Sequence, residues 1–231
     1  MQAEQGEASE GNIKRFKMPE TILAIGAHND DHIIGAGGTL IKYAKEGKKV
    51  KAVIFSYGEV SHPHLKPEII VERRKKEAEA ANDLMSGSGI VWLGAYDRTF
   101  EEDIARLKLK DALIDIIRKE KPAKIFMHAP DDPHPNHRAA HRTVLEALQE
   151  LDTPPEAYSF EVWNLLTLKN RDKPRLVVDI SDTFKQKIKA FKAHESQTAT
   201  IFSLMGKIYI RDFITGWNNA CRFAEVFIKV Q

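Results

Sequence analysis

A single cysteine, Cys221, stands in a chain of 231 residues. A disulfide framework within the chain is thereby excluded, and the composition suits a reducing cytoplasm, where we expect the protein to act. Cys221 itself reads as a small apolar residue of a C-terminal helix. No apolar run approaches the ~20 residues that a membrane-spanning helix needs, so no membrane partner is expected. An excess of one charge is missing too. Thirty-five Lys and Arg balance 33 Asp and Glu, a net +2, and this leaves no footprint for a nucleic acid. The densest cationic run, Arg73-Arg74-Lys75-Lys76, suits an anionic substrate or, more simply, a solvated helix face. Aromatic residues make up only 8%, and Trp92, Trp163 and Trp217 read as core packing, with stacking on a sugar ring as the alternative. The chain opens on Glu, Gln, Ser and Gly without the apolar segment of a secretory signal. We read 1–18 as a flexible tail and 19–231 as one domain.

With 42% hydrophobic and 29% charged residues, that domain has enough apolar material for a packed core. Short apolar runs at 21–27, 50–56, 90–93 and 124–128 read as buried strands. Between them lie helical patterns at 39–44, closed by Gly47, at 67–85, closed by Gly87, and at 104–119, broken by Pro122. A further helix is expected over 137–151, strands over 160–168 and 175–180, and helices over 182–194 and roughly 212–227. Four alternations of strand and helix predict an α/β fold, a Rossmann-like, mostly parallel sheet with helices on both faces. Ligands of such sheets sit beyond the carboxyl ends of the strands, at the point where strand order reverses.

Two polar runs fall in that position. The first is His28-Asn29-Asp30-Asp31-His32 after the first strand, and the second is His134-Pro135-Asn136-His137 after the fourth. Crowded ionisable groups at the end of an apolar strand are costly unless they bind something. Imidazole with carboxylate is a borderline-hard ligand set, so His28, Asp31 and His137 are candidate metal ligands, with His134 facing the same cavity. Asp30 is placed to accept a proton from a metal-bound water, or else to cap the following helix or to support His28. The loop 57–64, with His62 and His64, can cover a substrate, and its two histidines read as solvent-exposed.

The run from His28 to His32, followed by Gly37-Gly38-Thr39, resembles the A-H-P-D-D-E…G-G-T signature of the PIG-L / LmbE-like deacetylases. His134-Pro135-Asn136-His137-Arg138 resembles the H-P-D-H-R signature of that family. Three weaker segments follow its order: Arg74-Lys75-Lys76-Glu77-Ala78 (R-x-x-E-A), His194-Glu195-Ser196-Gln197 (H-x-S-Q) and Ala224-Glu225-Val226-Phe227 (A-E-x-F). The resemblance runs from about residue 20 to the end. It implies a zinc-dependent hydrolase that removes acetyl groups from N-acetylglucosamine-type substrates, small N-acetylated amino sugars, on a Rossmann-like fold, in a family that often assembles as homo-oligomers.

Carried over position by position, the resemblance makes His28, Asp31 and His137 the zinc ligands and Asp30 the base. His134 would steady the oxyanion or protonate the leaving amine, and Arg74 would contact substrate or brace the site. Asp131 or Asp132 would orient His134 and raise its pKa, or serve as a turn residue. The chain departs from the pattern at Asn29 (Pro in the family), Asn136 (Asp) and His32 (Glu), the last expected to lie beside the ligands or to start a helix. Two other readings stay open on the residues alone: a metallo-hydrolase of another bond such as a phosphoester, and a non-catalytic sugar- or nucleotide-binding Rossmann domain. Against the latter, Gly35-Ala36-Gly37-Gly38 lacks the G-x-G-x-x-G spacing.

Overall fold

The computed structural model describes residues 19–60, 66–164 and 173–231. Five parallel strands, β1 (Thr21–Gly26), β2 (Lys49–Ser56), β3 (Ile90–Ala95), β4 (Lys124–His128) and β5 (Glu156–Phe160), make most of one sheet. β6 (Arg175–Asp179) and β7 (Ala224–Lys229) complete it, with β7 antiparallel between β5 and β6, in the order β3-β2-β1-β4-β5-β7-β6. The helices are α1 (Asp31–Lys45), α2 (Pro67–Leu84), α3 (Phe100–Arg106), α4 (Leu109–Glu120), α5 (Pro135–Gln149), α6 (Phe184–Lys192) and α7 (Thr198–Trp217).

β1 is buried along its whole length because alternate residues feed two cores. Ile22 and Ala24 join α1, α6 and α7 on one face, whereas Leu23 and Ile25 join α4 and α5 on the other. Helices therefore cover both faces, as the alternation predicts. β1 and β4 lie side by side, yet the chain leaves them in opposite directions, to β2 and to β5. Their carboxyl ends open the crevice into which both polar runs project.

The structure differs from the sequence expectation where packing overrides local signals. α1 begins at Asp31, not near residue 39, and carries its glycines inside the helix. Glycine is a poor helix interior residue, but a Cβ at Gly35 would lie 2.2 Å from the Phe160 ring, so the close seat of α1 on the sheet requires it. The expected helix 104–119 is two helices, parted at Lys108, whose φ is +52°. Of the expected strand 160–168 only Phe160 is in a strand, as the last residue of β5; 161–164 are not strand, and 165–168 lie outside the described residues. The expected helix 212–227 is the end of α7, a turn with Ala220 at φ +57°, and β7. Cys221 consequently sits in that turn. Trp217 is 76% exposed, contrary to core packing.

A buried charge network ties α1 to the last helices and strand. Lys187 Nζ donates to Asp212 Oδ2 (2.6 Å) and Glu225 Oε1 (2.7 Å), and Arg211 Nε donates to Asp212 Oδ1 (3.0 Å). Glu225 accepts the Gly38 and Thr39 amides at 3.0 and 2.8 Å, while Arg211 Nη2 reaches Ile34 O at 2.6 Å. Two cations and two carboxylates, all buried, thus hold the helix whose first residue is Asp31.

Candidate metal and catalytic site

Three donor atoms converge at the β1/β4 crevice. His28 Nδ1 lies 3.4 Å from Asp31 Oδ2, His137 Nε2 lies 3.3 Å from Asp31 Oδ1, and the two ring nitrogens are 3.3 Å apart. A tetrahedral zinc with ligand distances of about 2.0–2.1 Å requires ligand–ligand edges of about 3.3–3.4 Å. The edge between the two rings and the edge from each ring to an Asp31 oxygen match that spacing, the two rings meeting different oxygens of the carboxylate, and the three side chains together suit such an ion.

The supporting shell holds each ligand in place. His28 Nε2 donates to Asp97 Oδ1 at 2.8 Å, which leaves Nδ1 directed at the trio. Asn136, two residues into α5, donates to the same Asp97 oxygen (3.0 Å) and to Asp97 O (3.1 Å). Asp132 Oδ1 stands 3.0 Å from His137 Nδ1, so His137 offers Nε2. Asp31 Oδ2 accepts the His28 amide at 2.7 Å and lies 3.1 Å from His128 Nε2, which also receives the Ala27 amide at 3.0 Å. Asp31 Oδ1 remains turned toward His137.

Beside the trio a cavity of about 150 Å³ is lined by Asp30, Arg74, His134 and Trp163, among others. Asp30 occupies the N-cap position of α1, but its carboxylate makes no capping hydrogen bond; it faces the cavity, with Arg74 Nη2 at 3.8 Å from Oδ1. His134 Nδ1 accepts the Asn136 amide at 3.2 Å, so a neutral ring carries its proton on Nε2. Arg74 is buried and braced: its guanidinium donates to Asn29 Oδ1 and to Gly58 O, and Asn29 Nδ2 returns a bond to Arg74 O. Gly58 has φ +67°, where a side chain is strained, and a Cβ there would lie 2.1 Å from Arg74 Nη1, so a substitution displaces the guanidinium.

A family model described as PIG-L, GlcNAc-PI de-N-acetylase, matches residues 23–148, more than half of the sequence. The chain belongs to the PIG-L family. It is 30% identical over 210 residues to a Bacillus cereus protein named "Probable N-acetyl-alpha-D-glucosaminyl L-malate deacetylase 2", covering 86% of this chain and 93% of that one. The N,N'-diacetylchitobiose deacetylase of Pyrococcus horikoshii superposes with a TM-score of 0.78 at 24% identity, over 93% of this chain and 85% of that one. GalB, the 4-carboxy-2-hydroxymuconate hydratase of Pseudomonas putida, superposes at 0.72 with 19% identity, over 92% and 96%. At such identities the two structures speak for the fold alone, and a fold shared by a deacetylase and a hydratase does not choose the reaction.

The PIG-L motifs meet in space. Glu77 accepts both Ser196 N (2.8 Å) and Ser196 Oγ (2.6 Å), joining the R-x-x-E-A helix to the H-x-S-Q turn, and Glu225 joins A-E-x-F to the G-G-T run. Among the three departures, Asn29 braces Arg74 and Asn136 grips Asp97. His32 lies in the first turn of α1, buried, with Nδ1 unpartnered among the described residues; burial and the neighbouring His194 push its pKa down to about 4.

Other expectations need correction. Asp132 does not orient the His134 ring: its Oδ1 takes the His134 backbone amide (2.9 Å) and faces His137. Nor is the His134 pKa raised; burial, with His28 and His137 nearby, pushes it down to about 4. Asp131 is half-buried in the turn that follows β4. The run 73–76 is no anion patch, since Arg73 pairs with Glu77, Lys76 with Glu72, and Arg74 is buried. Trp92 stacks on Tyr57 with ring centroids 4.8 Å apart, and only Trp163 of the three tryptophans lines the cavity. His62 and His64 lie outside the described residues. Asp97 and His128 were not anticipated, although both sit at carboxyl ends of strands, the same signal that marked the other site residues.

The electrostatics predict how a cation enters. Burial works against protonation of His28, but Asp31 and Asp97 outweigh it and push its pKa up to about 10. Burial likewise opposes Asp31 and Asp132 at His137, whose pKa still rises to about 9. Burial also opposes ionisation of Asp31, yet His137, His128 and His28 hold its carboxyl well below the ordinary range. A His whose folded pKa exceeds its unfolded value stabilises the metal-free fold below about pH 6.5, and this contribution fades as pH climbs through about 9–10. A bound cation must displace these protons, so its affinity falls as pH falls. Zinc titration near neutral pH is expected to release about one to two protons, measured by calorimetry in buffers of different ionisation heat. Zinc binding with no buffer dependence contradicts this proton inventory.

Proposed function

We propose that this PIG-L protein removes the acetyl group from an N-acetylglucosamine-type amino sugar, using zinc held by His28, Asp31 and His137. The convergence of those three side chains, with Asp30 facing the adjoining cavity, is the observation that carries the reading. The name of the Bacillus cereus relative supports it, since it specifies deacetylation of glucosaminyl malate. Imidazole and carboxylate donors suit zinc among the common divalent ions. A zinc ion there lowers the pKa of water toward about 7 and polarises an acyl oxygen.

The chain's own residues supply the rest. Asp30 accepts the proton of the attacking water and passes it to the departing amine, so the proton count closes within one carboxyl group. His134, neutral near pH 7, presents Nε2–H to the oxygen that gains charge as the carbonyl becomes tetrahedral, a donation worth about 3–4 kcal/mol in comparable sites. Arg74 steadies Asp30 and lines the entry, held by Asn29 and Gly58. His28 is aimed by Asp97, and His137 by Asp132.

The test is acetate release over a panel of N-acetylglucosamine conjugates, by zinc-loaded and chelated protein. Release is expected from the loaded form and lost on chelation. No acetate from any N-acetylated amino sugar overturns the reading, and release of phosphate from a sugar phosphate replaces it with phosphoester hydrolysis.

A further inference from the structure

Glu59 is a buried acid to which the reaction gives no part. It is 4% exposed. Among the described residues its oxygens receive the Asp97 amide (Oε1) and the Ser56 hydroxyl (Oε2, 3.4 Å), and no cation pairs with it. A buried acid without a cation is costly unless something is gained from it. What Glu59 holds is the residue that aims His28. Asp97 opens a single 3-10 turn, Asp97–Thr99, which no side chain caps and which has little stiffness of its own. Its two leading amides end on acids from different elements. Asp97 N donates to Glu59, in the loop after β2, and Tyr96 N donates to Asp103 Oδ2 of α3 at 2.8 Å. The Glu59 loop is fixed in turn, because Ser56 Oγ takes the Gly58 amide at 3.0 Å and Arg74 Nη1 donates to Gly58 O at 3.1 Å. A continuous set of contacts thus runs from Arg74, which lines the cavity, through 58–59 to Asp97 and His28.

We propose that Glu59 is a positioning residue of the metal site. It holds the Asp97 backbone so that the Asp97 carboxylate keeps His28 Nδ1 turned to the ion. The inference rests on the zinc reading of His28, Asp31 and His137. A hydrogen bond from an amide to a carboxylate is charge-assisted and roughly twice as strong as a neutral one. Without it the turn is free to pivot about the Tyr96 anchor. A tilt of the Asp97 side chain then swings the imidazole that it grips at 2.8 Å. Groups that hold a metal-ligating imidazole commonly govern affinity by about 10–100-fold. Glu59 stands one contact further out, and Asp103 still holds Tyr96, so its effect belongs at the low end of that range.

Glu59→Met fills the space and removes the acceptor. It is expected to raise the zinc dissociation constant about tenfold and to alter the visible absorption of the cobalt(II)-loaded protein, which reports the geometry of the ligands. Glu59→Gln keeps an acceptor for the Asp97 amide and is expected to stay within about threefold of wild type. In an Asp97→Ala background no carboxylate is left to aim, and Glu59→Met is expected to change zinc affinity no further. Should Glu59→Met fail to fold by circular dichroism, Glu59→Asp, a methylene shorter, is expected to show the same loss. Undiminished affinity with an unchanged cobalt spectrum overturns the assignment. So does an equal loss in the Asp97→Ala background, which makes Glu59 a merely structural residue. Equal losses in Glu59→Gln and Glu59→Met overturn it in favour of its charge. Failure of the deacetylase reading alone shows as absent acetate release with these metal-binding shifts intact. A wild-type chain that binds neither zinc nor cobalt overturns the metal reading and the role of Glu59 with it.

Discussion

Asp30→Asn is expected to lower acetate release by about 10²–10⁴-fold while zinc stays bound at one per chain. The substitution is nearly isosteric, removes only the capacity to accept and return a proton, and touches none of the three donor atoms. Asp30 makes no helix-capping bond, so α1 loses nothing it relied on. Its ion-pair partner Arg74, at 3.8 Å, keeps its bonds to Asn29 and Gly58. Loss of turnover therefore reports on chemistry and not on collapse of the site. Zinc content by mass spectrometry and the melting temperature provide the controls. Asp31→Asn, by contrast, should lose the metal as well, because Asp31 faces both imidazoles. Wild-type turnover in Asp30→Asn removes the proton role from this residue and leaves His134 as the sole candidate.

The second large effect is far from the reaction. Lys187→Met is expected to cost about 3–5 kcal/mol of folding stability, the range seen when one member of a buried ion pair is deleted. Lys187 is fully buried, and its ammonium is the cation shared by Asp212 and Glu225. Arg211 still serves Asp212 after the substitution, but Glu225 keeps only the Gly38 and Thr39 amides. Against a typical total of about 5–15 kcal/mol the loss is severe. Urea unfolding measures it, and adding Glu225→Gln should recover part of the loss by removing the stranded charge. A loss below about 1 kcal/mol contradicts the buried-charge account.

The fold was legible where apolar runs are short, continuous and strand-like. β1, β2 and β4 stand within a residue or two of their expected places, because both faces of these strands are buried and their sequences show it. The site was legible in part for a related reason: His28, Asp31, His134 and His137 stand directly after two of those strands. Asp97 and His128 escaped notice because their partners are distant in sequence. Asp97 meets a residue 69 positions away, and His128 one 97 positions away, so no local spacing announces either contact. α1 was placed too late because three of residues 35–38 are glycine, a poor helix former, whereas Phe160 and Ile180 press on the helix and leave no room for a Cβ at Gly35 and Gly38. The end of the chain was misread because 212–217 does continue a helix, while 224–229 form a strand that pairs on both sides.

β7 has a consequence for how the molecule comes into being. During synthesis every donor of the trio has been made by residue 137, and Asp97 and Asp132 precede it. Yet the penultimate position in the sheet stays vacant until residues 224–229 leave the ribosome. Until then β6 has no neighbour, and Lys187 has only Asp212 as its acid. The seat of α1 is locked by a side chain almost 200 positions later than Asp31. A nascent chain can thus hold a complete set of ligands before it can hold them still.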